Sequence, residues 1–141
     1  MRRVGKTPEA KMKHKADSAL QAWAVKQFPK CELCPSPSQC GHHIVEKSRS
    51  SRLRYEEENI VALCRICHSK VHNQIFGRVG NNILRSYNLL DRIINARGGK
   101  KWLDALEAKG RELVKTNVTY YQIALEKYNR KIDELNGNQT C

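Results

Sequence analysis

Two Cys-x-x-Cys pairs, Cys31 with Cys34 and Cys64 with Cys67, constrain this chain of 141 residues more than any other feature. Each pair puts two sulfurs on one tight turn, and four such sulfurs can close a tetrahedron around zinc at about 2.3 Å. A redox pair would instead open a helix inside a βαβ pattern, and no such pattern surrounds either pair. A structural zinc held this way would tie the segment before a first strand to the start of a later helix. It would thereby stabilise a unit too small to hold itself together by burial alone. Cys40 is spare, able to replace a ligand or to be buried, and Cys141 reads as a free terminal thiol. No run of about 18 apolar residues is present, and the basic stretch Met1 to Lys15 leads into no apolar segment, so neither a membrane span nor a secretory signal is expected. The cytosol, where cysteines stay reduced and bind metals, is the expected compartment.

Around the cysteines the texture changes twice. Residues 1–6 are basic without apolar periodicity and read as an arm. Thr7-Pro8-Glu9 starts a helix, with a hydroxyl cap, proline in the first turn and an acid beside it. Ala16, Leu20, Trp23, Ala24 and Phe28 fall near a 3.6-residue period and form its apolar stripe, which Pro29 ends. Gln39–Val45 predicts a short strand, Glu46–Glu58 a polar loop, Asn59–Leu63 a second strand and Arg65–Ile75 a helix. Gly77 and Gly80 separate this unit from a helical remainder. Ile83, Leu84, Tyr87, Leu90, Ile93 and Ile94 make one amphipathic helix closed by Gly98-Gly99. Trp102, Leu103, Leu106 and Leu113 make a weaker one broken at Gly110. The last begins near Asn117 or Thr119, where Thr119 with Gln122 fits a capping box. Its Val118, Tyr121, Leu125, Tyr128, Ile132 and Leu135 alternate steps of three and four, the seam of a helical hairpin or of a homodimer through the C-terminal helices.

Four of the five histidines fall within the zinc-stapled stretch: His42, His43, His68 and His72. His68 and His72 are four apart on a predicted helix, so both rings leave one face. His42 and His43 are neighbours on a predicted strand and point to opposite sides. One of them can therefore join the helical pair around a divalent cation while the other stays free as a base. Phosphodiester hydrolysis uses that division: a cation neutralises the phosphate, and a neutral imidazole takes a proton from the attacking water. Asn59 carries a carboxamide able to bridge backbone groups across the loop and orient the base.

Gly41-His42-His43-Ile44, Asn59-Ile60-Val61-Ala62-Leu63-Cys64 and Cys67-His68-Ser69-Lys70-Val71-His72 resemble the three parts of the HNH (ββα-metal) endonuclease motif. Sixteen positions separate His43 from Asn59, nine more reach His68 and four more His72, spacing close to that of colicin-type DNases. The resemblance implies that His42, His68 and His72 hold the catalytic ion (Mg²⁺, Mn²⁺ or Zn²⁺), that His43 is the general base and that Asn59 organises the loop. A looser likeness links the chain to phage recombination endonucleases of the NinG (Rap) type, which act on branched DNA. It rests on a helix entering a Cys-x-x-Cys, on Leu53-Arg54-Tyr55-Glu56 leading to Asn59-Ile60, and on a Tyr- and Lys-rich C-terminal helix from Tyr128 to Leu135.

Charge points the same way. Lys and Arg outnumber Asp and Glu by 26 to 14, a net +12, which draws a protein to nucleic acid. Lys47, Arg49, Arg52 and Arg54 lie in the loop and are candidate phosphate contacts, which position DNA without reading sequence. The expectation is an α+β protein that nicks DNA: a zinc-stapled ββα-metal core at 31–76, an arm and long N-terminal helix at 1–30, and a helical C-terminal extension at 77–141. If phage-encoded, it would act in the host cytoplasm. The alternatives are a nuclease for Holliday junctions or other branched DNA, and a non-catalytic zinc module that binds nucleic acid.

Overall fold

The computed structural model describes residues 6–76 and 87–137. The expectations placed on the first five residues, on Gly77, Gly80, Ile83 and Leu84 and on Cys141 lie outside the described residues. The first helix, α1, runs from Pro8 to Gln27, and the Thr7 hydroxyl accepts a hydrogen bond from the Ala10 amide at 3.1 Å. Its stripe of Ala16, Ala19, Leu20, Trp23 and Ala24 is buried. Phe28 is not part of that stripe: it lies just past the last helical residue, where the backbone turns away, and it is 38% exposed. Its ring meets Trp23 edge-on at 5.9 Å.

Strand β1 (Cys40–His43) pairs antiparallel with β2 (Ile60–Leu63), His42 opposite Val61 and His43 opposite Ile60. Both strands are shorter than the sequence predicts. Asn59 closes a 3₁₀ turn, Glu57–Asn59, and its side chain takes the backbone groups of Val45 that a longer ladder would have used. Alternation along the strands divides the sheet's neighbours. Val61 and Leu63 join Cys40 in a core with Val71 of α2 (Arg65–Phe76) and Leu90, Ile93 and Ile94 of α3 (Tyr87–Arg97). Ile60, on the other face, joins Leu20 and Trp23 of α1 and Tyr55. Gly41 lets α1 approach that face: a Cβ there would lie 3.1 Å from both Ala24 Cβ and Ile60 Cγ2. The Gln21 amide brackets the same glycine, accepting from its N–H at 2.6 Å and donating to its carbonyl at 2.9 Å, as a neighbouring strand would.

Gly98 and Gly99, with φ of 138° and 74°, turn the chain from α3 into α4 (Gly99–Gly110). The Leu106 side chain closes a small core with Val45 and Leu53. Leu113, expected on the same helix, is fully exposed because α4 stops at Gly110. That glycine marks a close approach as well as a helix end, since a Cβ would sit 2.7 Å from Leu53 Cδ1. The last helix, α5 (Val118–Gly137), is capped by Asn117, whose carboxamide oxygen accepts from the Tyr120 amide at 2.9 Å, and not by a Thr119–Gln122 box. Tyr121, Ala124 and Tyr128 are buried against α1, with Leu125, Ile132 and Leu135 packed partly under it. Of the two readings of the apolar seam, a helical hairpin or a homodimer, the first is the one found, since the seam packs on α1 of the same chain.

Candidate active site

The Sγ atoms of Cys31, Cys34, Cys64 and Cys67 all lie within 4.8 Å of one another, and those of Cys34 and Cys64 are 3.6 Å apart. A tetrahedron with metal–sulfur bonds of about 2.3 Å has edges of about 3.8 Å, so the cluster is of a size that zinc fills. Backbone N–H groups already point at the sulfurs, Leu33 to Cys31 and Cys67 to Cys64, both at 3.4 Å. The bonds from Ser36 hold the Cys34 thiol low, whereas burial, then the neighbouring thiols, pushes Cys67 up. Four sulfurs this close ionise together only around a cation. Cys40 stands apart from the cluster: its thiol donates to the Leu63 carbonyl at 3.4 Å, and burial raises its pKa.

A second cluster forms where α2 crosses β1. The i, i+4 spacing brings His68 and His72 together, their Nε2 atoms 3.0 Å apart, and His42 meets them edge-on with ring centroids 5.3 and 5.1 Å away. One ligand nitrogen from each of the three rings lies within 4.8 Å of the others. His42 Nε2 is buried without a hydrogen-bond partner. Burial, then the charges of His68, His72 and His43, pushes the His42 pKa down to about 3, and burial with His72 lowers His68. A buried, unpartnered nitrogen on a neutral ring beside two more imidazoles is a costly arrangement in a core. It fits a divalent cation, to which it offers a lone pair.

His43, one residue on, faces α1. Its Nε2 is 2.8 Å from the Arg54 carbonyl oxygen. A carbonyl only accepts, so Nε2 carries the proton and Nδ1 keeps its lone pair. Burial pushes the His43 pKa down to about 4, against the Arg54 carbonyl bond, so the ring is neutral at neutral pH. It lines a cleft of about 350 Å³ with His14, Asp17, Ser18, Gln21 and Lys47. Asn59 is fully buried, and its side-chain hydrogen bonds go to loop backbone rather than to this ring. Its oxygen accepts from the Val45 amide at 2.7 Å, and its nitrogen donates to the carbonyls of Val45 at 2.9 Å and Leu53 at 3.2 Å. Asn59 thus closes the loop between the strands and holds the residue just before Arg54.

The four basic loop residues divide into two kinds. Lys47 and Arg49 are exposed. Arg52 is paired with Glu56 and, at 3.0 Å, with Glu112. Arg54, its side chain 12% exposed, makes a two-pronged bond to Asp17 at 3.1 and 2.6 Å. Arg52 and Arg54 thus have their charges matched by acids within the fold, whereas Lys47 and Arg49 are exposed. Sequence reasoning also passed over Asp17, Gln21 and His14 of α1. The polar pair Asp17 and Gln21, four apart beside a buried stripe, was the available signal.

Residues 31–74 match the family model described as HNH endonuclease. No curated protein and no solved structure matches the chain significantly. The match takes in both clusters, His43 and Asn59, and leaves out α1, α3, α4 and α5. The N-terminal helix and the Tyr128–Leu135 stretch, which carry part of the looser likeness to recombination endonucleases, lie outside it.

Proposed function

We propose that this chain, built around an HNH endonuclease segment at residues 31–74, is a metal-dependent endonuclease that nicks DNA with His43 as general base. The observation that carries the reading is the pairing of roles on adjacent residues of β1. His42, with a buried and unpartnered Nε2, offers a ring nitrogen to the cluster with His68 and His72, and His43 turns to the opposite face with its Nε2–H donated to the Arg54 carbonyl. His42, His68 and His72 would hold the catalytic divalent ion, which when bound neutralises phosphate charge and stabilises the leaving oxygen. The Nδ1 lone pair of His43 would take the proton of the attacking water. Asn59 keeps the loop closed behind it, and Lys47 and Arg49 are free to contact phosphates on the approach to the cleft. Cys31, Cys34, Cys64 and Cys67 would hold a structural zinc. With about six to ten phosphate contacts, binding would weaken by orders of magnitude between low and moderate salt.

The test is nicking of supercoiled plasmid, four-way junctions and flaps by the full chain with Mg²⁺, Mn²⁺ and Zn²⁺ varied. His43→Ala should lose about 10²- to 10⁴-fold in nicking rate while keeping its metal content and its salt-sensitive DNA binding. Undiminished nicking by that variant would reject His43 as the base. A wild-type chain that binds DNA and nicks nothing with any of the ions would be a zinc-bearing nucleic-acid-binding module.

A further inference from the structure

We infer that Asp17, on a helix outside the HNH segment, is a positioning residue for His43 and acts through a single peptide bond. The inference rests on the base role proposed for His43. The oxygen that receives His43 Nε2–H belongs to the peptide between Arg54 and Tyr55. One carboxylate holds the side chains on both sides of that peptide. Asp17 takes the Arg54 guanidinium at 3.1 and 2.6 Å and the Tyr55 hydroxyl at 2.8 Å. A two-pronged guanidinium–carboxylate bond fixes orientation as well as distance. From the far side, α5 holds the next peptide plane, since the Tyr55 carbonyl accepts from the Tyr128 hydroxyl at 2.5 Å and from Lys127 Nζ at 3.3 Å.

Asp17 lines the same cleft as His43. It stands 37 positions from Arg54 in sequence, on a different element from the loop it steadies. Among the described residues, it is the one charged side chain bonded to the side chains of both flanking residues. The imidazole is thus aimed by a carbonyl, the carbonyl is set by its two neighbouring side chains, and those are pinned by α1. The flanking helix is in this way part of the active-site machinery that the family segment alone does not contain.

The experiment uses the full-length chain as Asp17→Ala and Asp17→Asn, with metal content, nicking kinetics and the ¹⁵N spectrum of the His43 ring measured for each. In the alanine variant kcat should fall about 10- to 100-fold, the scale set by misplacing a reacting group by up to an ångström. KM should stay within about twofold, as for loss of an interaction that matters in the transition state only. Both metal contents should hold. The His43 ring should pass from a single Nε2–H tautomer to a mixture of the two. Asp17→Asn keeps the shape and one acceptor, should show a smaller change in the same direction, and carries the test if the alanine variant does not fold. An unchanged kcat in a folded variant overturns the inference, and so does a lowered kcat with the His43 tautomer intact. If the wild-type chain nicks nothing, the function proposed above has failed separately, and the tautomer measurement still decides whether Asp17 sets the ring.

Discussion

The two faces of the small sheet are held in different ways. On the α2 and α3 side, four cysteines and three histidines cluster beside Val61, Leu63 and Val71. On the α1 and α5 side, no such metal-ligand cluster is found among the described residues, and large side chains such as Leu20, Trp23 and Tyr128 pack directly. Strands of four residues in a two-stranded sheet are too short to stand alone. With the metals proposed above, the first face would add coordination geometry to its packed core, whereas the second rests on burial. The site needs both, because His42 belongs to the first face and His43 to the second.

That contrast can be broken by experiment. The largest effect is expected from replacing Cys64 and Cys67 together by serine, which should remove on the order of 10 kcal/mol of metal-coupled folding free energy. Hydrogen exchange should show protection lost first in β1, β2 and α2, and a chelator should reproduce the result in the wild-type chain. Chelator-insensitive melting would erase the distinction between the two faces. Next, Tyr128→Ala should cost about 3–5 kcal/mol, as deletion of a fully buried aromatic does, with zinc content unchanged in metal analysis. If zinc were lost with it, the faces would be one cooperative unit.

A smaller effect comes from pH. Burial acts to raise the Asp17 carboxyl, but the bonds from Arg54 and Tyr55 and the nearby Arg54 charge outweigh it and hold its pKa below the ordinary value. A lowered folded-state pKa contributes stability above the unfolded value of about 3.9, and that contribution fades as pH falls through the folded value. Denaturant midpoints should therefore drop below about pH 4 more steeply in the wild-type chain than in Asp17→Asn. Parallel curves would show that the α1 side gains nothing from this pair.

The parts of the site that could be read from the sequence are those set by local spacing. The cysteine turns, the shared face of His68 and His72 and the opposed faces of His42 and His43 follow from helix and strand periods over a few residues. The Thr7 cap and the α1 stripe follow for the same reason, and Phe28 fails where the period meets a helix end. The basic loop divides only in three dimensions, since Arg52 and Arg54 look alike in sequence to Lys47 and Arg49. Their partners, Glu112 and Asp17, stand 60 and 37 residues away.

By itself the sequence determined which side chains can act together, because a helix or strand period fixes the relative directions of near neighbours. Tertiary structure alone decided which of the like charges face solvent, which carbonyl accepts the hydrogen bond from His43 and which helix brings Asp17 to Arg54 and Tyr55. A polar group's role depends on what is brought within about 3 Å of it, and for these groups that neighbour arrives from a distant part of the chain.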